Sequence, residues 1–302
     1  MHIRAATRGS ALARWQAARI AGLICLARPG TTVEIVIVET AGDRDLSTPL
    51  EQMGGQGVFV KEVQTAVLNG RADIAVHSAK DLPAVTPEGL MLAAVPERAD
   101  PRDAIVGSRW DELAEGATVA TGSIRRRAHL GYLRPDLAFV GLRGNIGTRL
   151  LALDGPPHLD AMVVAAAALD RLDLTPTAVD RLDPSVLLPQ VGQGALAAEC
   201  RSSDTDVVGL LAAIDDLVAH RAVAAERAFL SELGAGCDLP VAAHAVLPDG
   251  LHGDLHLTGS VSSTDGTTLL REERVGSNGP SMGRAVARFL LDDQGGASLL
   301  AR

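Results

Sequence analysis

Lysine is nearly missing from this 302-residue chain: 26 of its 28 basic residues are arginine, and only Lys61 and Lys80 are not. Cysteine is scarce too, with Cys25, Cys200 and Cys237 in no metal-ligand spacing. An odd, sparse count argues against a disulfide framework and fits a reducing compartment. No apolar run approaches the ~20 residues needed to span a membrane. The opening Met1-His-Ile-Arg-Ala-Ala-Thr-Arg8 lacks the apolar core of a signal peptide. A cytoplasmic protein without membrane contact is expected. Excess positive charge is also lacking: a net charge of −9 and a pI near 5.4 exclude a chain whose main task is to hold a nucleic-acid backbone.

What is present is an ordinary globular composition, 47% apolar and 22% charged, long enough for two or three cores. Short β-branched runs alternate with helical patterns. Strands are expected at 3–7, 33–39, 73–76, 118–121, 137–142 and 161–164, with helices at 10–27, 59–68, 124–133 and 145–153. Such alternation implies two α/β units, each a parallel or mixed sheet covered by helices. From about residue 216 the pattern becomes a helix at 217–233, strands at 241–246, 255–260 and 268–275, and a helix at 280–291. That reads as a smaller α+β domain.

Nine arginines lie between Arg98 and Arg149. A guanidinium grips a carboxylate or phosphate through two hydrogen bonds, so this density in an acidic chain points to an anion pocket. Three strand-to-helix junctions carry arginine beside a small polar residue: Arg8-Gly9-Ser10, Ser123-Ile124-Arg125-Arg126 and Arg143-Gly144-Asn145. Each is expected to offer free backbone N–H groups, a helix N-terminus and a guanidinium to one crevice. Taken singly, Ser10, Ser123 and Asn145 read more readily as plain helix caps, and it is the coincidence of three that points to an anion site. Lys80-Asp81 falls just beyond a strand, where Asp81 is either a carboxylate facing the crevice or part of a solvated turn.

Cys25 and Cys200 read as core residues of a helix and a strand. Cys237, on the glycine-rich turn Gly234-Ala-Gly-Cys-Asp-Leu-Pro240, is either a nucleophile or attachment point, or an inert loop thiol. Gly54-Gly-Gln-Gly57 lacks the ending of a phosphate loop, and 42–57 reads as a lid containing mobile glycines. His252, Asp254 and His256 share a strand face without a third imidazole or thiolate nearby, so no metal is expected.

Taken together these segments resemble the hydroxymethylbilane synthase, or porphobilinogen deaminase, family. The residues that carry the likeness are Thr7-Arg-Gly-Ser-Ala-Leu-Ala-Arg-Trp-Gln16, Val58-Phe-Val-Lys-Glu62, Arg71-Ala-Asp-Ile-Ala-Val-His-Ser-Ala-Lys-Asp-Leu-Pro83, Asp100-Pro-Arg-Asp-Ala104, Ser123-Ile-Arg-Arg126, Leu142-Arg-Gly-Asn-Ile-Gly-Thr-Arg149, Val191-Gly-Gln-Gly-Ala195 and Gly236-Cys237. The resemblance implies two α/β domains similar to type 2 periplasmic binding proteins plus a smaller C-terminal α+β domain. Domain 1 is then 1–98 with a return segment 190–215, domain 2 is 99–189 and domain 3 is 216–302.

The resemblance further implies a dipyrromethane cofactor joined to Cys237 by a thioether, and a reaction that condenses four porphobilinogen molecules onto it before hydrolysis releases linear hydroxymethylbilane. Porphobilinogen loses ammonia to leave an azafulvenium-like cation, and by resemblance Asp81 is the catalytic carboxylate beside it. Lys80, Asp43, Ser123, Arg125 and Arg126 are expected to hold the cofactor. Arg8, Ser10, Gln16, Arg143, Arg149 and Arg171 are expected to hold porphobilinogen and the elongating polypyrrole chain, with Phe59 in the lid. A monomer is implied.

The sequence departs from the family pattern at Gln52 and Gln56, which supply no charge where lid lysines are common, and at Gly122, where serine is frequent. A binding module of the same two-lobed architecture remains the rival, separated by whether Cys237 carries a tether and Asp81 acts. A cysteine- or aspartate-dependent hydrolase is disfavoured, because no paired histidine lies near Cys237 in sequence.

Overall fold

The computed structural model describes residues 1–44, 57, 59–142, 144–156, 158–234 and 239–300. The chain opens with β1 (His2–Thr7), α1 (Ala11–Ala27), β2 (Thr32–Ile37), α2 (Ala41–Arg44), α3 (Lys61–Leu68), β3 (Ile74–Ser78) and β4 (Leu90–Ala94). It then crosses to β5 (Asp103–Val106), β6 (Thr118–Ala120), α4 (Ile124–Leu133), β7 (Ala138–Val140), α5 (Ile146–Leu151), β8 (Ala161–Ala165), α6 (Ala166–Arg171) and β9 (Val179–Arg181). A second crossing leads back through β10 (Leu196–Arg201) and α7 (Thr205–Ala212). The chain ends in α8 (Leu217–Glu232), β11 (Val241–Val246), β12 (Leu255–Ser262), β13 (Leu269–Gly276), α9 (Gly279–Arg288) and α10 (Ala297–Leu300).

These strands form three sheets. The first has the order β2-β1-β3-β10-β4 and the second β7-β6-β8-β5-β9. In each, three parallel strands adjoin one that runs antiparallel to both its neighbours. That antiparallel strand, β10 in the first sheet and β5 in the second, is the one reached directly across a crossover. Two chain segments therefore join the lobes, a geometry suited to hinging. The third sheet is the antiparallel β11-β12-β13, whose core includes Phe229 of α8, Leu257 of β12 and Val286 of α9.

Helix α1 shows how local pattern places a site element. Ser10 Oγ accepts the Ala13 N–H at 3.3 Å and starts the helix, while Ala13, Gln16, Ala17, Ile20 and Ile24 form its buried stripe. Cys25 lies off that stripe and is exposed, its thiol donating to Thr31 O at 3.3 Å, so its expected core place is corrected. Cys200 is buried in β10, and burial raises its thiol pKa to about 11. No helix among the described residues is long and apolar enough to cross a membrane.

The third sheet is tied to both lobes. Glu226 on α8 accepts from Arg98, from Gly192 N at 2.7 Å and from Ala245 N at 2.8 Å. His129 on α4 meets Ser260 on β12 at 3.2 Å, and Arg271 on β13 donates to Ser185 O at 3.0 Å.

Candidate functional site

The expected site residues follow the ends of parallel strands, where open α/β sheets bind ligands. Arg8 and Ser10 follow β1, Lys80 and Asp81 follow β3, Ser123 follows β6, and Arg171 ends the helix after β8. One cavity brings the two lobes and the third sheet together. It is lined by Lys80, Ser123 and Arg125 on the lobes and by Leu230, Leu239 and Val241 beside the third sheet. Cys237 and Arg143 lie outside the described residues, as do Gln52 and Gln56.

Arg125 and Arg126 begin α4, whose Ser123 cap accepts the Arg126 N–H at 3.4 Å. Both guanidinium groups are buried against one carboxylate, Asp103 of β5: Arg125 Nη2 donates to Oδ2 at 2.8 Å and Arg126 Nε to Oδ1 at 2.9 Å. Burial alone would raise the Asp103 carboxyl, but the two arginines hold it below the usual carboxylate range. Two cations share one anion there, so the cluster keeps net positive charge. Arg125 Nε is buried with no hydrogen-bond partner among the described residues.

Lys80 and Asp81 sit on a 3₁₀ turn directly after β3. Lys80 Nζ donates to Gln193 Oε1 at 3.2 Å. Burial and the neighbouring Arg126 push its ammonium down to about 8. The Asp81 carboxylate is half-buried, and among the described residues no side chain hydrogen-bonds to it. Asp81 thus follows the cavity-lining Lys80 on the same turn.

A second cluster gathers Arg8, Asp43 and Phe59. Arg8 Nη2 pairs with Asp43 Oδ1 at 2.5 Å, and its guanidinium carbon lies 4.0 Å from the Phe59 ring centroid. Burial would raise Asp43, but Arg8 and Thr40 together hold it below the usual range. Gly42 lets the ring in: a β-carbon there would lie 2.1 Å from Phe59 Cε1. Arg171 is buried, donates to Gly194 O at 2.7 Å, and stands 5.7 Å from the Trp15 ring centroid across the lobes. With no carboxylate hydrogen-bonded to it among the described residues, its burial lowers its pKa to about 10.

Other expected residues are engaged by the protein itself. Gln16 is buried and donates to Ser78 Oγ at 3.1 Å, and Arg149 Nε donates to Gly144 O at 2.8 Å. Ser10, Ser123 and Asn145 each accept a backbone N–H of their own helix, so the three junctions do not leave all those donors free. That corrects the expectation of wholly unpaired N–H groups. At Gly122 a β-carbon would stand 3.0 Å from Leu142 O, a tight fit for any side chain. No cluster of metal-ligating side chains occurs among the described residues.

Residues 3–209 match the family model described as porphobilinogen deaminase, dipyrromethane cofactor binding domain, and residues 220–292 match porphobilinogen deaminase, C-terminal domain. The chain belongs to the porphobilinogen deaminase family. The family comprises transferases of tetrapyrrole synthesis, and the matched first model is its dipyrromethane-binding part. Similar solved structures include the methionine binding protein MetQ (14% identity, 70% of this chain and 88% of that one, TM-score 0.43). The L-cystine solute receptor of Neisseria gonorrhoeae is 13% identical over 72% of this chain and 87% of that one, TM-score 0.40. The B. pertussis BvgS periplasmic domain is 20% identical, and the match spans 70% of this chain but 39% of that one, TM-score 0.38.

A porphobilinogen deaminase cofactor bears acetate and propionate groups. The donor set present fits such a group: Lys80, Ser123 and Arg125 line one cavity, and Arg125 Nε is buried with no hydrogen-bond partner among the described residues.

Sequence reasoning assigned no role to Asp103, Gln193 or Glu226. All three are buried, and Asp103 and Gln193 lie within the segments that carried the resemblance. A buried acid among arginines was the available signal; which arginine it meets is set only by the fold.

Proposed function

We propose that this chain is a hydroxymethylbilane synthase. It condenses four porphobilinogen molecules head to tail, releases one ammonia at each addition, and then adds water to free linear hydroxymethylbilane. The observation that carries this reading is the convergence of Lys80, Ser123 and Arg125 of the two lobes on one small cavity that is also lined by Leu239, which directly follows the 235–238 segment. Cys237 lies in that segment and is the attachment residue of the proposal. The division into domains 1–98 with 190–215, 99–189 and 216–302 belongs to the same reading.

When bound, the dipyrromethane supplies a terminal pyrrole carbon as nucleophile and carboxylates for anchoring. Lys80, Arg125 and Arg126 hold those carboxylates, Ser123 adds a hydroxyl, and Asp43 keeps Arg8 aligned at the crevice. Asp81 stabilises the positive charge that develops on porphobilinogen as ammonia departs, and accepts or returns protons at pyrrole nitrogen. Arg8, Arg143, Arg149 and Arg171 receive acetate and propionate groups of the substrate and the growing chain, with Ser10 and Gln16 supporting their elements. The low dielectric around Arg171 strengthens such a pairing. Phe59 packs on the Arg8 guanidinium at the base of the lid. The protein is read as a cytoplasmic monomer that binds neither nucleic acid nor membrane; its net charge of −9 supports exclusion of nucleic acid.

Intact mass spectrometry tests the reading. Wild type should be heavier than its sequence by a two-pyrrole adduct, Cys237→Ala should lose it, and Asp81→Asn should keep it while ammonia release falls by at least about a hundredfold. Wild type that stays unmodified and releases no ammonia after exposure to porphobilinogen overturns the enzyme in favour of an anion-binding module.

A further inference from the structure

The segment Gly192-Gln193-Gly194 lies on the second crossing between the lobes, and Gln193 is fully buried. Both ends of its side-chain amide are used. Oε1 accepts from Lys80 Nζ at 3.2 Å, while Nε2 donates to Pro101 O at 2.8 Å and to Asp103 Oδ1 at 3.0 Å. Asp103 in turn accepts from Arg125 at 2.8 Å and Arg126 at 2.9 Å. A continuous buried network thus runs from Lys80, beside the first sheet, to the arginine pair on the second.

The backbone beneath this amide is held from every side. Gln193 O accepts from Arg98 Nε at 2.9 Å, Gly192 N donates to Glu226, and Gly194 O accepts from Arg171. The flanking glycines have φ of +71° and +83°; β-carbons there would lie 2.9 Å from the Ala79 carbonyl carbon and 2.5 Å from Ala99 O. An uncharged amide of this length offers an acceptor to the ammonium and a donor to the carboxylate at once.

We propose that Gln193 is a positioning residue that aligns Lys80 with the Arg125–Arg126 pair across the crossover, so that cations from both lobes meet the carboxylates of one dipyrromethane as a fixed array. This rests on the cofactor-holding roles given above to Lys80, Arg125 and Arg126. Gln193 acts through those groups and touches neither substrate nor reacting atoms. Among the described residues, the charged groups that act on Lys80 are Arg125 and Arg126, which lower its pKa, and Asp81 and Asp103, which raise it. Gln193 adds a carbonyl dipole that favours the ammonium.

The scarcity of lysine makes the coupling measurable. Uniform ¹³C,¹⁵N-lysine labelling gives two side-chain signals, and Lys61→Arg assigns them. In the cofactor-free protein the Lys80 Cε resonance should titrate near pH 8. Gln193→Leu should lower that midpoint by about one pH unit, and Gln193→Glu, of equal volume, should raise it by about as much. In the cofactor-loaded enzyme Gln193→Leu should lower kcat about tenfold and leave the KM for porphobilinogen within about twofold. A Lys80 midpoint unmoved by both substitutions overturns the proposal, and the Glu variant decides this even where the Leu variant does not fold. A Lys80→Met protein that charges fully with dipyrromethane and turns over normally overturns instead the cofactor assignment on which the proposal rests.

Discussion

The fully buried Glu226 carboxylate accepts from both terminal nitrogens of Arg98, at 2.6 and 3.1 Å. The same two oxygens accept the N–H groups of Gly192 and Ala245. One side chain of α8 thereby joins the segment after β4, the second crossover and β11. An ion pair so enclosed adds little over an apolar substitute, but removing one partner strands the other.

Glu226→Ala leaves the Arg98 guanidinium and two buried N–H groups without their acceptor. It should destabilise the protein by roughly 3–5 kcal/mol. The measurement is the urea midpoint by circular dichroism, and a midpoint equal to wild type would show that water replaces the carboxylate at no cost.

Asp103 pairs with two buried guanidinium groups at once, so Asp103→Asn leaves both without an anion. The substitution should lower the melting temperature and scatter Arg125 and Arg126 from their alignment. Intact mass should then show a smaller fraction of chains carrying the dipyrromethane adduct. A fully loaded variant of unchanged melting temperature would remove Asp103 from the site.

His129 is held neutral by burial, aided by Arg125 and Arg271, with its pKa lowered from 6.5 to about 3. In the unfolded chain the imidazole takes up a proton as pH falls through 6.5, whereas the folded protein resists until about 3. The unfolded state therefore binds more protons in that window, and stability is lost progressively from pH 6.5 down to about 3. His129→Gln should flatten this acid slope, as read from urea midpoints across that range. An unchanged slope would assign acid sensitivity to other groups.

Trp15 and Arg171 meet across the lobes, ring against guanidinium. Because the Trp15 ring stays exposed, such a contact contributes about 1 kcal/mol. Trp15→Leu should raise the KM for porphobilinogen about fivefold or more, and Trp15→Phe should restore part of the loss by keeping an aromatic face. Equal kinetics in both variants would show that Arg171 needs no ring to hold it.

Periodicity marked most elements to within a few residues. Expected at 124–133, α4 spans Ile124–Leu133, and the strand expected at 241–246 is Val241–Val246. No expectation attaches to β4, β5, α6, β9 or α7, and near-continuous apolar runs such as Ala161–Ala167 do not distinguish a strand from the helix that follows it. Cys25 shows the opposite failure: an apolar helix has an outer face too, and only the neighbours decide which face that is.

For the candidate site, residue type and local order alone specified where cations and small caps would gather, since strand ends and helix starts are governed by nearby side chains. Partnership was another matter. That Asp103 serves both Arg125 and Arg126, that Gln193 reaches Lys80, and that Trp15 covers Arg171 depends on two crossovers carrying distant segments into contact. Pairings between residues 22 or 113 positions apart are chosen by packing and by the cost of an unpaired buried charge, which no local pattern encodes.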